Sequence, residues 1–135
     1  MLRLVVDTNC VLASINPRGA YFRLYELFIA GRFEWVLSNE ILTEYEEQVT
    51  RRYSVRTASQ VHEVLMAAPN TIFQEASYKW QLITADPDDN KFVDVSVAAG
   101  ADFLVTDDRH FDVLRQIEFP RVELLKMPQL LALLK

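Results

Sequence analysis

Two short apolar runs in this chain end in aspartate. Leu2–Val6 stops at Asp7, and Phe103-Leu104-Val105 leads into Thr106-Asp107-Asp108. Uniformly apolar runs suit parallel strands buried on both faces. A carboxylate directly after one must find hydrogen bonds or a cation. Asp88-Asp89 precede an apolar helical stretch whose first turn would point back toward the same edge, and Glu44 lies one turn inside a helix opened by Ser38. Four carboxylates from distant segments would then converge. Like charges that close raise one another's pKa, and a divalent cation removes the conflict. An all-oxygen shell points to Mg²⁺ or Mn²⁺, since Cys10, His62 and His110 lack the spacing zinc needs. Ions held in this way hydrolyse phosphodiesters by activating water and stabilising the departing oxygen, with no side-chain nucleophile.

Other chemistries find little support. Ser14 and Ser38 have no Ser/His/Asp arrangement around them, nothing local supports a Cys10–His62 pair, and Gly19, Gly31 and Gly100 are too isolated to form a phosphate loop. The plainer reading of Asp89 and Asp108 is that each caps a helix. Glu44 shares its helix with Glu40, Glu46 and Glu47, most of which a solvated face explains. His110 reads as a surface residue of a turn that could also donate to a phosphate.

The elements that must position these groups follow from periodicity and punctuation. Helical spacing runs through Tyr21, Leu24, Tyr25, Phe28 and Ile29 up to Gly31; a strand covers Phe33–Leu37; Ser38 opens a helix with Ile41, Leu42, Tyr45 and Val49 inward. A further helix spans Thr57–Ala67, Thr71–Phe73 suits a strand, and Tyr78–Thr84 is ambiguous between strand and loop. Asp86–Asn90 is a turn by composition. A helix from Phe92 to Ala99 ends at Gly100, a short helix covers Arg109–Arg115, Val122–Leu125 is the last strand, and Pro128 starts a final helix. This alternation predicts a three-layer α/β/α sandwich with a mainly parallel central sheet, in one domain over residues 1–135. Ligands in such folds collect at the carboxyl ends of the strands.

Composition sets outer bounds. Half of the 135 residues are apolar and 11% aromatic, which excludes disorder, and a single cysteine excludes a disulfide scaffold. No apolar run is long enough to span a membrane, and the start is too soon acidic for a signal peptide, so a cytoplasmic location is expected. The net charge of −5 argues against binding nucleic acid through a bulk positive field. Between Asp86 and Asp112 there are eight acids, all Asp, against Lys91 and Arg109 alone. Such a set suggests short carboxylates fixed at element ends.

Asp7-Thr8-Asn9, Ile41-Leu42-Thr43-Glu44, Asp86-Pro87-Asp88-Asp89-Asn90-Lys91-Phe92, Ala101-Asp102 and Val105-Thr106-Asp107-Asp108, in this order, resemble the PIN-domain ribonucleases. More narrowly, the chain resembles the VapC-like toxin components of prokaryotic toxin–antitoxin pairs, over residues 2 to about 127. The strongest element is the Asp-Pro-Asp-Asp-Asn-Lys-Phe segment followed by Thr106, seventeen residues after Asp89. The resemblance implies a Mg²⁺- or Mn²⁺-dependent endoribonuclease whose four acids are Asp7, Glu44, Asp89 and Asp108, with Thr8, Asn9 and Thr106 orienting them. Where the family's Thr-x-Asp usually carries Gly, this chain carries Asp107; either Asp107 or Asp94 could share or replace a ligand's role, while Asp86 shapes the turn. It also implies an RNA substrate, a cognate antitoxin and a homodimer, with the apolar helices at Tyr21–Ile29 and Leu130–Leu134 available for interfaces. Arg18, Arg23, Arg51, Arg52 and Arg56 are candidates for RNA backbone contact, or a basic cluster suited to a helix end.

A receiver-type phosphoacceptor and a haloacid-dehalogenase-like phosphatase both lack required acids. The serious alternative is a PIN fold that binds RNA or a protein without cutting.

Overall fold

Leu4 and Val5 point to opposite sides of their strand, yet neither is exposed at all. Both faces of the central strand are therefore covered, as a helix–sheet–helix sandwich requires. In a computed structural model describing residues 1–134, β1 (Arg3–Val6), β2 (Glu34–Leu37), β3 (Thr71–Phe73), β4 (Phe103–Val105) and β5 (Leu124–Leu125) form one sheet in the order β3-β2-β1-β4-β5. Every pairing is parallel. The expected sheet was mainly parallel; the one found is wholly so, because each successive strand is reached through a helical crossover rather than a hairpin.

Six α-helices link or flank the strands: α1 (Thr8–Ser14), α2 (Phe22–Ile29), α3 (Asn39–Arg52), α4 (Val55–Ala67), α5 (Asn90–Ala99) and α6 (Met127–Leu134). Short 3-10 turns cover Pro87–Asp89 and Arg109–Gln116. Ser38 caps α3 as expected, its hydroxyl accepting from the Ile41 amide at 3.1 Å, and Gly100 ends α5 in the left-handed conformation at φ 61°. Sequence periodicity missed α1, whose Thr-Asn-Cys-Val start is poor in helix formers. Its start is fixed instead by Asp7, which caps it. The ambiguous stretch Tyr78–Thr84 is irregular. It is pinned to one face of α5, where Asn90 exchanges two 2.9 Å hydrogen bonds with Ile83 and Asp94 accepts from the Trp80 amide at 3.1 Å. Among the described residues no helix is long and apolar enough to cross a membrane.

The core beneath α2 and α3 is aromatic. Phe28 packs on Phe33 and Trp35 with ring centroids 5.6 and 5.1 Å apart, and Trp35 meets Tyr45 edge-on at 6.1 Å. Fully buried Tyr45 accepts from Trp35 Nε1 and donates to the carbonyl of Val6, the residue before Asp7. Tyr45→Phe leaves a buried donor and a buried acceptor unpaired. It is expected to cost about 2 kcal/mol in urea denaturation.

Candidate metal centre at the carboxyl edge of the sheet

Register brings the first acids together. Val6 lies opposite Val105, so the next residues, Asp7 and Thr106, leave the sheet side by side. The chain runs from β1 to β2 on one side and reaches β4 on the other, so this is the crevice where crossovers diverge. Asp7 is 4% exposed. One of its oxygens accepts from the Cys10 amide at 2.9 Å, and the other accepts from the Thr106 hydroxyl. Thr106 in turn accepts from the Asp108 amide at 3.0 Å, so one hydroxyl sets the relation between two acids. Asp108 also caps the following 3-10 turn by accepting from the His110 amide at 2.9 Å.

Glu44 comes from α3, where the Thr8 hydroxyl donates to one of its oxygens and Lys91 Nζ lies 2.8 Å from the other. Asp89 enters from the turn before α5. Although it stands at the start of α5, its side chain makes no capping bond, and its Oδ2 is buried without a hydrogen-bond partner. Asp86 is the residue that caps that turn, accepting from the Asp88 amide at 3.2 Å. Asp7, Glu44, Asp89 and Asp108 all line one cleft of about 180 Å³, together with Thr8, Asn9, Gln48, Asp86, Asp88 and Phe92.

The cleft's electrostatics follow from this crowding. Burial pushes the Asp89 carboxyl up to about 6, helped by the charges of Asp86, Asp108 and Asp7. Burial also raises Asp7, against the pull of its Thr106 and Cys10 hydrogen bonds. A divalent cation fits such a donor set: its ligands are all hard oxygens, and the buried Asp89 oxygen lacks a partner. The closest convergence adds residues that sequence reading gave other roles. Asp86, Asp89 and His110 bring one ligand atom each within 4.8 Å of one another, and His110 Nδ1 lies 3.8 Å from Asp89 and 3.6 Å from Asp108. The position of His110, two residues after Asp108 in a capped turn, is the sequence signal that could have placed it here.

The two remaining acids point elsewhere. Asp107 accepts from the Met127 amide at 3.1 Å and ties α6 to the end of β4, and Asp94 holds the Trp80 loop. Cys10 is buried, its thiol pushed up by burial and by Asp7, and His62 pairs with Glu46. The model of the PIN domain matches residues 3–110. The chain belongs to the PIN domain family. The matched span takes in Asp7, Glu44, Asp89 and Asp108. None of the curated proteins matches the chain. Among solved structures, this PIN domain is similar to VapBC2 from Rickettsia felis bound to a promoter DNA fragment, with a TM-score of 0.63 and 18% identity over 93% of this chain and 98% of that one. VapC20 from Mycobacterium tuberculosis, a toxin that cleaves the sarcin-ricin loop, gives 0.62 and 18% over 85% and 97%. DNA-bound VapBC from Salmonella typhimurium gives 0.58 and 15% over 94% and 99%. At these identities the likeness is one of fold, and it extends the PIN match toward β5 and α6.

Proposed function

We propose that this PIN domain is a metal-dependent endoribonuclease acting as one domain over residues 1–135, and the toxin of a toxin–antitoxin pair. The observation that carries the reading is the convergence of Asp7, Glu44, Asp89 and Asp108 in one cleft where a buried Asp89 oxygen has no hydrogen-bond partner. Bound Mg²⁺ or Mn²⁺ would supply Lewis-acid polarisation of a phosphoryl oxygen and a hydroxide-like water at neutral pH. Asp7, Asp89 and Asp108 are the principal holders of such an ion, with Glu44 completing the acid set. Thr106 fixes Asp7 and Asp108 relative to each other, and Thr8 fixes Glu44. His110, 49% exposed at the mouth, is placed to donate to a phosphate oxygen.

Net charge cannot draw RNA to this chain, so local cations must. Arg18, Arg23, Arg51, Arg52 and Arg56 are all exposed, and their role is to hold backbone phosphates. An antitoxin partner is supported by the fold neighbours determined as toxin–antitoxin assemblies. Ile29 on α2 and Leu133 on α6, 57% and 54% exposed, suit a homodimer contact. A cytoplasmic location goes with this role.

The test is cleavage of end-labelled single-stranded RNA with Mn²⁺ or Mg²⁺, beside an EDTA control. Cutting that needs the ion and stops with EDTA is expected. Cutting that persists in EDTA overturns the metal mechanism, and Mn²⁺ that neither binds nor promotes cutting points to a PIN fold that binds without cleaving.

A further inference from the structure

Lys91, which reaches the cleft through Glu44, is a cation to which the nuclease reading gives no role. It stands in the first turn of α5, where the helix dipole disfavours a cation. A lysine on a helix surface ordinarily lets its ammonium reach water. This side chain is only 9% exposed, and its Nζ turns inward, 2.8 Å from Glu44 Oε1. It also donates to the Asp88 carbonyl at 2.6 Å. The Thr8 hydroxyl takes the other Glu44 oxygen, so protein groups already engage both oxygens of this acid. At the opposite end, Asp89 Oδ2 is buried without a hydrogen-bond partner, with Asp86 close by and His110 Nδ1 3.8 Å away. A buried ammonium thus answers the Glu44 end at hydrogen-bond distance, whereas the Asp89 end has only the half-exposed imidazole of His110, no nearer than 3.6 Å.

We propose that Lys91 Nζ is a built-in cation occupying the Glu44 end of the cleft, so that the chain takes one divalent ion, at the Asp89 end, rather than two. The inference rests on the metal-centre reading for that ion. In two-ion sites the ions sit only ~3.5–4 Å apart, and a second ion on Glu44 would have to displace an ammonium held by two oxygens or endure its repulsion at that range. A phosphate oxygen brought to the Glu44 end meets an ammonium instead. Lys91 is a positioning residue for Glu44 and a fixed positive charge beside it.

Isothermal titration of MnCl₂ into the full chain tests this by counting ions, which a merely structural lysine would not change. Wild type is expected to bind one Mn²⁺. Lys91→Met should bind two, and adding Glu44→Gln to that variant should return the count to one. Lys91→Gln, which keeps a polar tip, serves as a second variant, with circular dichroism verifying the fold of each. Two ions in the wild type overturn the inference, whatever the variants do. One ion in the wild type and in both Lys91 variants also overturns it, while leaving the metal centre standing. No ion in the wild type overturns the metal centre itself, and this inference with it.

Discussion

Asp7→Asn is expected to lower metal-dependent RNA cleavage about 10³-fold, the scale of losing one charge-stabilising group in a buried site, while the chain stays folded. The substitution is close to isosteric, and both of its structural hydrogen bonds can be kept. The retained oxygen still accepts from the Cys10 amide at the start of α1. The new amide group can donate to the Thr106 hydroxyl, which rotates to accept it. What disappears is the negative charge of a carboxylate only 4% exposed. Asp7→Ala separates the two roles, since it also loses the cap and should cost about 1 kcal/mol of stability. Initial rates on one labelled RNA at fixed Mn²⁺, with melting curves for each protein, decide the matter. An Asp7→Asn enzyme that cuts at the wild-type rate sinks the assignment of this acid.

Asp89→Asn should move stability and metal response in opposite directions. Its folded-state pKa of about 6 lies above the ordinary 3.8, so the folded chain holds this proton more tightly than the unfolded chain does. The contribution to stability is therefore full below about pH 4 and is lost as pH rises to about 6. Asparagine suffers no such loss. In EDTA, the variant's advantage over wild type should open between pH 4 and 6 and stay constant above. The cleft is open to solvent, which screens the repulsion, so the advantage at pH 7 is about 1 kcal/mol, or roughly 3 °C in a domain of this size. Adding Mn²⁺ at a hundred times its dissociation constant reverses the ranking. Wild type gains about 2.7 kcal/mol, roughly 8 °C, and Asp89→Asn gains little. Thermal melts at pH 4, 6 and 8, with EDTA and with Mn²⁺, would expose a wrong assignment as two parallel curves.

The parts of this molecule legible in its sequence are those set by local chemistry. Leu4-Val5-Val6 and Phe103-Leu104-Val105 announced buried strands because a strand covered on both faces has no polar side to alternate with. Ser38 marked a helix start through the hydroxyl that caps it, and Gly100 a helix end through the left-handed backbone that only the lack of a side chain makes easy. Asp7 and the pairs Asp88-Asp89 and Asp107-Asp108 stood out because each lies at such an end, while Glu44 and the choice within each pair came from the family resemblance. What stayed hidden depends on pairs far apart in the chain. Glu44 differs from Glu46 and Glu47 only through Thr8 and Lys91, 36 and 47 positions away. A lysine in a first helical turn reads as solvated, and nothing local says that Lys91 turns inward. Asp86 and His110 meet because the turn before α5 and the turn after β4 face each other across the crevice. Asp107 looked like a possible ligand until its partner, the start of α6, came into view. The last strand proved shorter than the apolar run suggested, since only Leu124 and Leu125 find partners on β4.

The strand order has a consequence for how the protein is made. β1 leaves the ribosome long before its neighbour β4, which is specified about a hundred residues later, and Asp7 takes its hydroxyl donor from Thr106. Until that segment emerges, β1 can pair only with β2, Asp7 lacks its Thr106 donor, and Asp108 does not yet exist. The cleft cannot assemble by stages as the helices form. It can close only once β4 pairs beside β1, and a chain interrupted anywhere before that point lacks the Thr106 and Asp108 half of the site.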